Sequence, residues 1–302
     1  MPKRTDVKDV KNKQKKQVLL SKQREDKKKE LKKIKKLKKE GLIAKKDPLT
    51  VEAKRVVTED IILEDNPDLN EEECLDEFQD FIANLKDSKI LLTTSLKPSR
   101  YSFEFLMDMK NSLPNSYYYP RKKHSLIQIS RLATKRNFTH MVALNERNKK
   151  PFSLSISVLG TGPTFHFRVR KYIPSYKIFN KGNPTDHNPE LILKNFNTAV
   201  GRRLARGLSS LYACNPDFKG RTVVTFHNQR DFIFFRHHRY VFNDKGEGEK
   251  IEERIKVDLQ EIGPRFALQL QKVHTGCYDE FKGDYEYLYR ADKYVERNRL
   301  YL

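Results

Sequence analysis

The sequence predicts an α/β (α+β) protein made of two pseudo-symmetric halves, and two matching strands are the main reason. The stretch 263–276 opens with Gly-Pro and then alternates apolar and polar residues, which is the pattern of a half-buried strand. The stretch 162–170 has the same Gly-Pro-x-Phe opening and the same alternation. Apolar residues recur at helical spacing ahead of each strand, so we expect each half to combine a mixed sheet with packed helices.

Charge divides the 302-residue chain into three regions. Residues 1–50 carry 20 basic and 7 acidic residues, and residues 58–80 carry 11 acidic residues and no basic one. Residues 81–302 carry 39 basic against 21 acidic residues. A folded region with this surplus favours a polyanionic partner, most commonly a nucleic acid. A very soluble surface would also explain the surplus, but here a basic tail and a basic body occur together.

The predicted domains are a basic tail at 1–57, an acidic linker at 58–87, a folded region at 88–276 with halves at about 88–183 and 184–276, and a Tyr-rich extension at 277–302. The tail has too little apolar surface to fold alone, so we expect it to be disordered or helical. It is either a solvated tail, a nuclear or nucleolar address with an RNA-binding arm, or a membrane-surface helix. The linker is a spacer, a competitor of RNA for the basic body, or a docking segment for a basic partner.

The first half is predicted to run strand, helix, helix and then three strands. Residues 90–95 form a short apolar run with β-branched residues, which indicates a buried strand. Phe103, Leu106 and Met107 recur at helical spacing, and Leu126, Ile129 and Leu132 indicate a second helix. The three strand-like runs that follow are 140–144, 152–158 and 164–169.

The second half is predicted to open with a long helix after Pro189. Its core-facing stripe is Phe196, Val200, Leu204, Leu208 and Leu211. Strand-like runs follow at 222–226, 231–235, 240–242 and 255–259, and they lead to the second Gly-Pro strand. Residues 277–302 are rich in tyrosine and are expected to pack on a partner protein, on RNA bases or on the body itself.

The sequence contains no pattern that indicates catalysis or a bound cofactor. Cys74, Cys214 and Cys277 have no paired spacing, which argues against zinc and disulfides and favours a reducing, intracellular compartment. There is no P-loop, and Gly160-Thr-Gly162 lacks the third glycine of a dinucleotide fingerprint. We therefore expect a soluble, non-enzymatic protein with no cofactor, no metal and no small-molecule substrate.

Two further features argue against a metal site and against a membrane-spanning helix. His237 and His238 are adjacent and would point to opposite faces of a strand, so they cannot share a metal. No apolar run approaches the roughly 20 residues that a membrane-spanning helix needs, so we expect no membrane partner.

Clustered basic residues are the candidate RNA contacts. Arg202, Arg203 and Arg206 lie mainly away from the apolar stripe of the long helix and could neutralise up to about three phosphates. The other candidates, on the two Gly-Pro strands and around the histidine pair, are Arg168, Arg170, Lys171, Arg265, Lys272, Arg236 and Arg239. The sequence has no RNP1-type aromatic platform and no GXXG loop, which favours recognition of folded RNA by shape and backbone.

Two stretches resemble a known family. GPRFALQLQKVHTG is similar to the sigma-factor-like motif near the end of the Brix domain of ribosome-assembly factors, and LLTTSLKPSRYSFEFLMDMKNSLPNS resembles the opening of that domain. The resemblance covers about residues 88–280. It implies two halves similar to anticodon-binding domains, a location in the nucleus and nucleolus, and non-catalytic binding of precursor rRNA of the large subunit. It also implies other pre-ribosomal assembly proteins as partners, and the alternative is a nucleolar protein–protein scaffold whose charge serves mainly localisation.

Overall fold

The computed structural model describes residues 12–39, 50, 75–160, 162–212, 215–244, 255–278, 284–289 and 301–302. The chain forms two compact units, residues 1–54 and 55–302. The first unit contains α1 (Lys13–Lys39), a helix of 27 residues that is rich in lysine, leucine and glutamine. These residues lose little side-chain freedom in a helix, and the described part of the basic tail takes the helical one of its two predicted states.

The second unit contains the remaining elements. Its helices are α2 (Gln79–Ile82), α3 (Arg100–Lys110), α4 (Leu126–Lys135) and α5 (Ala199–Ser209), with 3₁₀ turns at Ser175–Lys177 and Ser210–Tyr212. Its strands are β1 (Ile90–Thr93), β2 (Ser116–Tyr118), β3 (His140–Arg147), β4 (Lys150–Val158), β5 (Thr164–Ile173), β6 (Glu190–Lys194), β7 (Thr222–Gln229), β8 (Phe232–Asp244), β9 (Ile255–Glu261), β10 (Arg265–His274) and β11 (Tyr285–Leu288).

These strands form one mixed sheet in which the two halves repeat the same order. The path is β2-β1-β3-β4-β5-β10-β8-β7-β6, with β9 added to β8 and β11 added to β10. In the first half β1 is parallel to β3, and β3, β4 and β5 are antiparallel. In the second half β6 is parallel to β7, and β7, β8 and β10 are antiparallel. The predicted pair of halves is thereby confirmed.

The two Gly-Pro strands pair with each other at the centre of the sheet. β5 and β10 are antiparallel, in a register that runs from Arg265 opposite Ile173 to His274 opposite Thr164. Phe165 and Phe167 of β5 and Phe266 and Leu268 of β10 are nearly fully buried in the main core. The alternation seen in the sequence therefore marks one face of a continuous sheet rather than two separate sheets.

Helices cover this core-forming face of the sheet. Phe105 and Leu106 of α3 and Leu204 and Leu208 of α5 pack in the main core with the apolar residues of the central strands. Gly207 lets α5 lie directly on the ring of Phe165, because a Cβ at this position would stand 2.4 Å from Cε2 of that ring. On the opposite face, α4 packs over the β1–β3 end through Ile129 and Ala133, beside Leu91 and Met141.

The second half opens with a strand, so the prediction that the long helix follows Pro189 directly is wrong. Residues 190–194 pair in parallel with β7, from Glu190 opposite Val223 to Lys194 opposite His227. The helix starts later because the hydroxyl of Thr198 caps it, accepting a hydrogen bond of 3.0 Å from the backbone N–H of Gly201. Strands β2 and β11 are likewise absent from the predicted element order, since three or four residues make too short an alternation to stand out.

Two helical stripes also differ from the prediction. Phe103 is 39% exposed and packs edge-on against Tyr118, while Phe105, Leu106 and Met109 form the buried side of α3. Leu132 is 48% exposed, and its neighbour Ala133 is buried instead. The spacing identified each helix correctly, and Leu106 and Ile129 are buried, while Phe103 and Leu132 are the members of the two spacings that face solvent.

The buried His140, on β3 of the first half, connects the two halves through a side-chain hydrogen bond to the second half. Its Nε2 lies 3.0 Å from the hydroxyl of Ser210, in the 3₁₀ turn after α5, and its Nδ1 lies 2.8 Å from the hydroxyl of Thr139. The ring of Phe81 packs against it at 4.9 Å. Burial, and to a lesser extent the charge of Lys86, lowers the pKa of His140 to about 3. The imidazole is therefore neutral in the folded protein at physiological pH.

Replacing His140 with Gln is expected to flatten the pH dependence of stability. The stabilising contribution of the neutral imidazole is complete above about pH 6.5 and is lost as the pH falls toward about 3, because the unfolded chain binds the proton first. At about pH 5 this loss amounts to about 2 kcal/mol. Urea unfolding at about pH 7.5 and about pH 5 measures the loss in both proteins, and an equal loss in wild type and His140→Gln would contradict the assignment.

Candidate nucleic-acid interface

The helices α3 and α5 cover one face of the central strands. The other face of these strands carries most of the predicted RNA contacts. We call it the open face and define it by Arg168, Arg170 and Lys171 of β5, Arg265 and Lys272 of β10, and Arg236 of β8. In the register, Arg168 is opposite Gln269, Lys171 is opposite Ala267, and Lys272 is opposite His166. The pleat of the strands, together with two register shifts in the pairing of β5 with β10, gathers six of the ten predicted residues on one surface.

An irregularity in the strand pairing places Lys171 beside Arg170 on the open face. The register shifts between Ala267 and Leu268, which leaves Arg170 as an extra residue on β5. Its Nε donates a hydrogen bond of 2.8 Å to the side-chain oxygen of the buried Gln269. Arg170 keeps the alternation set by Phe167 and Val169, and the extra residue brings Lys171, which strict alternation would send to the core side, to the same face.

Aromatic rings support several of these cations. The guanidinium groups of Arg147 and Arg168 lie 5.5 Å and 5.2 Å from the centre of the Phe152 ring. The ammonium of Lys272 lies 5.3 Å from the ring of Tyr285, on β11. Such contacts hold a cation at the surface while leaving its N–H groups able to bind an anion. Phe152 and Tyr285 were not predicted as site residues, because only the register shows which cations they meet.

One carboxylate balances part of the positive charge. Nε of Arg265 donates to Oε1 of Glu261 at 2.7 Å, and the side chain of Glu261 is 15% exposed. Burial by itself would raise the pKa of Glu261, but the hydrogen bonds and charge of Arg265, with His238 and Arg236 nearby, lower that pKa. Among the described residues, Glu261 is the only carboxylate that contacts any of the six basic side chains of the open face.

The histidines of the open face add little charge near neutral pH. Burial, followed by the charges of Lys272 and His274, lowers the pKa of His166 to about 4. Burial is also the main cause of the lowered pKa of His238, although Glu261 opposes it. The positive potential of this surface at physiological pH therefore comes from its arginine and lysine side chains.

The arginines of α5 have a different environment. Arg206 binds Asp76 with both sides of its guanidinium, at 2.5 Å and 2.7 Å, and also donates to Gln79 at 3.1 Å. Arg203 donates to Glu77 at 2.7 Å and to Glu286 at 2.6 Å. Burial by itself would lower the pKa of Arg203, but the two glutamates raise it. Arg202 lies on the same helix and is half-buried.

The carboxylates opposite α5 are held in place by a buried anchor. Phe78 is fully buried, stacks on Phe165 at 6.3 Å, and lies under the guanidinium of Arg203 at 5.5 Å. Phe81, one turn later, is also buried. The end of the acidic stretch thus packs as part of the folded unit, and its charges compensate Arg203 and Arg206. An aromatic residue within a run of acids was the one signal in the sequence for this contact.

Arg239 and His237 lie on the core-forming side of β8, away from the open face. Arg239 is opposite Thr222, in the row of β8 that also holds the core residue Phe235, so it does not belong to the open face. His237 is 2% exposed on that row, and His238 lies on the other face, as the sequence predicted. The described residues contain no group of three His, Cys, Asp or Glu side chains that could hold a metal ion.

No helix in the described part of the chain is both long enough and apolar enough to span a bilayer.

The fold and its motifs belong to a known family of domains. Residues 95–272 match the model of the Brix domain, and since this is more than half of the sequence, the chain belongs to the Brix domain family. Ribosome production factor 1 of Rattus norvegicus is 35% identical over 299 residues, which cover 96% of this chain and 84% of the relative. Ribosome production factor 1 of Saccharomyces cerevisiae is 41% identical over 215 residues, which cover 71% of this chain and 68% of the relative. These relatives support a role in ribosome biogenesis.

A solved structure is also similar to the chain. It is that of a probable ribosomal biogenesis protein from Aeropyrum pernix, which is 16% identical, has a TM-score of 0.44, and covers 60% of this chain and 96% of that chain.

Breaking the pair between Asp76 and Arg206 is expected to destabilise the fold. Arg206→Met leaves a carboxylate whose side chain is 9% exposed without its partner, and we expect a loss of about 3 kcal/mol in the free energy of unfolding. In a double-mutant cycle with Asp76→Asn, the two changes together should cost about 0.5–3 kcal/mol less than their sum.

The exposed pair of Arg100 and Glu104 provides the matched control, since the side chain of Arg100 is 93% exposed. Arg100→Met should change stability by less than about 0.5 kcal/mol. Equal effects of Arg206→Met and Arg100→Met in urea unfolding would show that the α5 arginines are not structural.

Proposed function

We propose that the chain is a non-catalytic ribosome-assembly factor that binds folded precursor rRNA of the large subunit through the open face of its sheet. One observation carries the proposal: six arginine and lysine side chains share this face, and among the described residues a single carboxylate contacts them. A surface that concentrates cations in this way gains affinity for phosphates by releasing their counterions.

The shape of the surface suits a folded RNA better than a single base. Strands β5, β10, β8 and β7 lie side by side, which at about 4.8 Å per step gives a surface about 14 Å across. Its cations end in flexible or forked donor groups, and phosphate contacts of this kind position a protein on an RNA without reading its sequence. Recognition by shape and backbone is the expected result.

The α5 arginines contribute less to this proposal than the open face does. Arg203 and Arg206 already donate to Glu77, Glu286 and Asp76, and an RNA phosphate would have to displace those carboxylates. The lysine-rich helix α1 supports a location in the nucleus and nucleolus, and it offers a second basic surface for rRNA.

Neutralising three cations of the open face is expected to lower the affinity for rRNA and also to reduce the dependence of that affinity on salt concentration. In the variant Arg168→Gln, Lys171→Gln, Lys272→Gln, the log–log slope of affinity against salt should fall by up to about 2.7, if each side chain contacts one phosphate of a duplex. Fluorescence anisotropy with a structured fragment of large-subunit precursor rRNA, at several salt concentrations, measures both quantities. Urea unfolding checks that the variant remains folded.

The control variant removes the same charge outside the open face. Lys97, Lys110 and Lys219 are exposed in a loop, at the end of α3 and before β7. Changing these three lysines to Gln should leave the slope within about one of the wild-type value. If both triple variants lose affinity and slope equally, the open face is not the binding surface.

A second candidate function, that of a protein–protein scaffold, rests on the hairpin of β8 and β9. Phe242, Val257 and Leu259 are 55%, 48% and 64% exposed. Phe242 is opposite Val257, and Leu259 is opposite Tyr240, so these side chains form one apolar row. β9 pairs only with β8 among the described strands, which leaves an edge that another protein can cover. We propose that an assembly protein of the pre-ribosome docks on this row.

Removing the apolar row should reduce entry into particles without changing RNA affinity. We expect Val257→Thr with Leu259→Thr to lower several-fold the share of protein that co-sediments with pre-ribosomal particles, because Thr keeps the strand but loses apolar surface. Val241→Thr is the control, since Val241 lies on the opposite side of the hairpin and is 41% exposed. Unchanged co-sedimentation of the double variant, or an equal loss in the control, would rule out this row.

A further inference from the structure

The loop after β5 displays aromatic and basic side chains together. We call residues 175–183 the aromatic–basic loop; its sequence is SYKIFNKGN and contains no acidic residue. Phe179 is 98% exposed and Tyr176 is 56% exposed. Lys177 and Lys181 are exposed beside them, and neither contacts a carboxylate among the described residues. A scattered exposed phenylalanine is ordinary, but two rings and two cations within six residues form a distinct surface.

The loop backbone is fixed on both sides of Phe179. The backbone N–H and the hydroxyl of Ser175 donate hydrogen bonds to the carboxylate of Asp108, at 3.0 Å and 2.7 Å. Ile178, directly before Phe179, is buried, with 7% of its surface exposed. On the other side, the N–H of Gly182 donates to the carbonyl of Glu261 at 2.8 Å. Phe179 lies between these attachments, so its ring is held in solvent by its neighbours and cannot fold back onto the core.

The aromatic–basic loop adjoins the open face. β5 ends at Ile173, opposite Arg265, and the loop follows directly. Glu261 connects the loop to the open face: its backbone carbonyl accepts the hydrogen bond from Gly182, and its carboxylate pairs with Arg265. An RNA that follows the phosphate-binding cations of β5 and β10 would therefore reach Phe179 at the edge of the sheet.

We propose that the aromatic–basic loop binds an unpaired base of the RNA, with Phe179 stacked on the base and Lys177 and Lys181 on the flanking phosphates. Rings and cations without carboxylates are the combination that single-stranded nucleic acid requires, since every base has a π-face and every linkage carries a charge. This inference rests on the proposed function: the open face holds the helical part of the RNA, and the loop holds the junction where pairing ends. Tyr176 lines a shallow cavity of about 380 Å³ together with Arg100, Tyr101 and the carboxylate Glu104 of α3, so the base contact is assigned to Phe179 and not to Tyr176.

A single tryptophan can report on this contact, because the chain contains none. In the full-length Phe179→Trp variant, fluorescence should be quenched by a blunt RNA duplex that carries an unpaired extension, and not by the same duplex without it. Phe179→Ala should weaken binding to the extended RNA by about 5- to 150-fold, the usual effect of losing one base–aromatic stack. Its affinity for the blunt duplex should stay at the wild-type value.

Phe218 provides the matched control, as it is a second phenylalanine that is 65% exposed beside a lysine, Lys219. Phe218→Ala should leave both affinities unchanged. If Phe179→Ala and wild type bind the extended RNA equally, the loop inference is overturned while the open face stands. If wild type binds neither RNA, the proposed function itself fails. A Phe179→Ala defect confined to entry into pre-ribosomal particles would identify a protein as the occupant and would also overturn the inference.

Discussion

The antiparallel pairing of β5 with β10 is the interaction on which the rest of the structure depends. Each strand is the last of its half, so their ladder turns two small sheets into one. The pairing brings Phe165 and Phe167 beside Leu268 and Leu270. Helices α3 and α5 pack against this apolar row. Because a strand sends successive side chains to opposite faces, the same ladder places Arg168 and Gln269 on the other side, and a register shift after Leu270 brings Lys272 to that side as well.

Two populations of basic residues follow from this arrangement. The arginines of α5 lie on the helical side, where a short segment anchored by Phe78 brings Asp76 and Glu77 against them. The cations of the open face contact aromatic rings, an amide and, within the described part of the chain, a single carboxylate. The net charge of the chain counts the arginines of α5 and the cations of the open face equally. Since a compensated charge contributes little to counterion release, the open face is the better candidate for phosphate binding.

The sequence contains enough information to predict the two halves and much of the order of their elements. The Gly-Pro openings and the period of two at β5 and β10 are local signals, and so are the helical spacings of α3 and α4. The strand β6 was missed because five residues before a capped helix resemble the start of that helix. The contact of Asp76 with Arg206 spans 130 positions along the chain, and no local pattern encodes such a pair.

The sequence predicted the basic residues of the candidate RNA-binding site but not how they are grouped, because the grouping depends on contacts that are distant along the chain. Alternation shows that Arg168 and Phe167 point to opposite sides, but it does not show which side the helices cover. The sequence therefore grouped the α5 arginines with those of the strands, and only the sheet order and the register separate them. Phe152 and Phe179 carry no sequence signal of their own, because their importance lies in the cations and hydrogen bonds that surround them.

The central claim is that RNA lies on the open face, and peptide–RNA cross-linking tests it most directly. Full-length protein in assembling pre-ribosomal particles would be cross-linked by ultraviolet light, digested, and mapped by mass spectrometry for peptides that carry a nucleotide. We expect adducts on the peptides around Arg168, Lys171 and Lys272, and on the loop that contains Phe179. Adducts confined to the peptides of α5, or to those of the basic tail, would contradict the account.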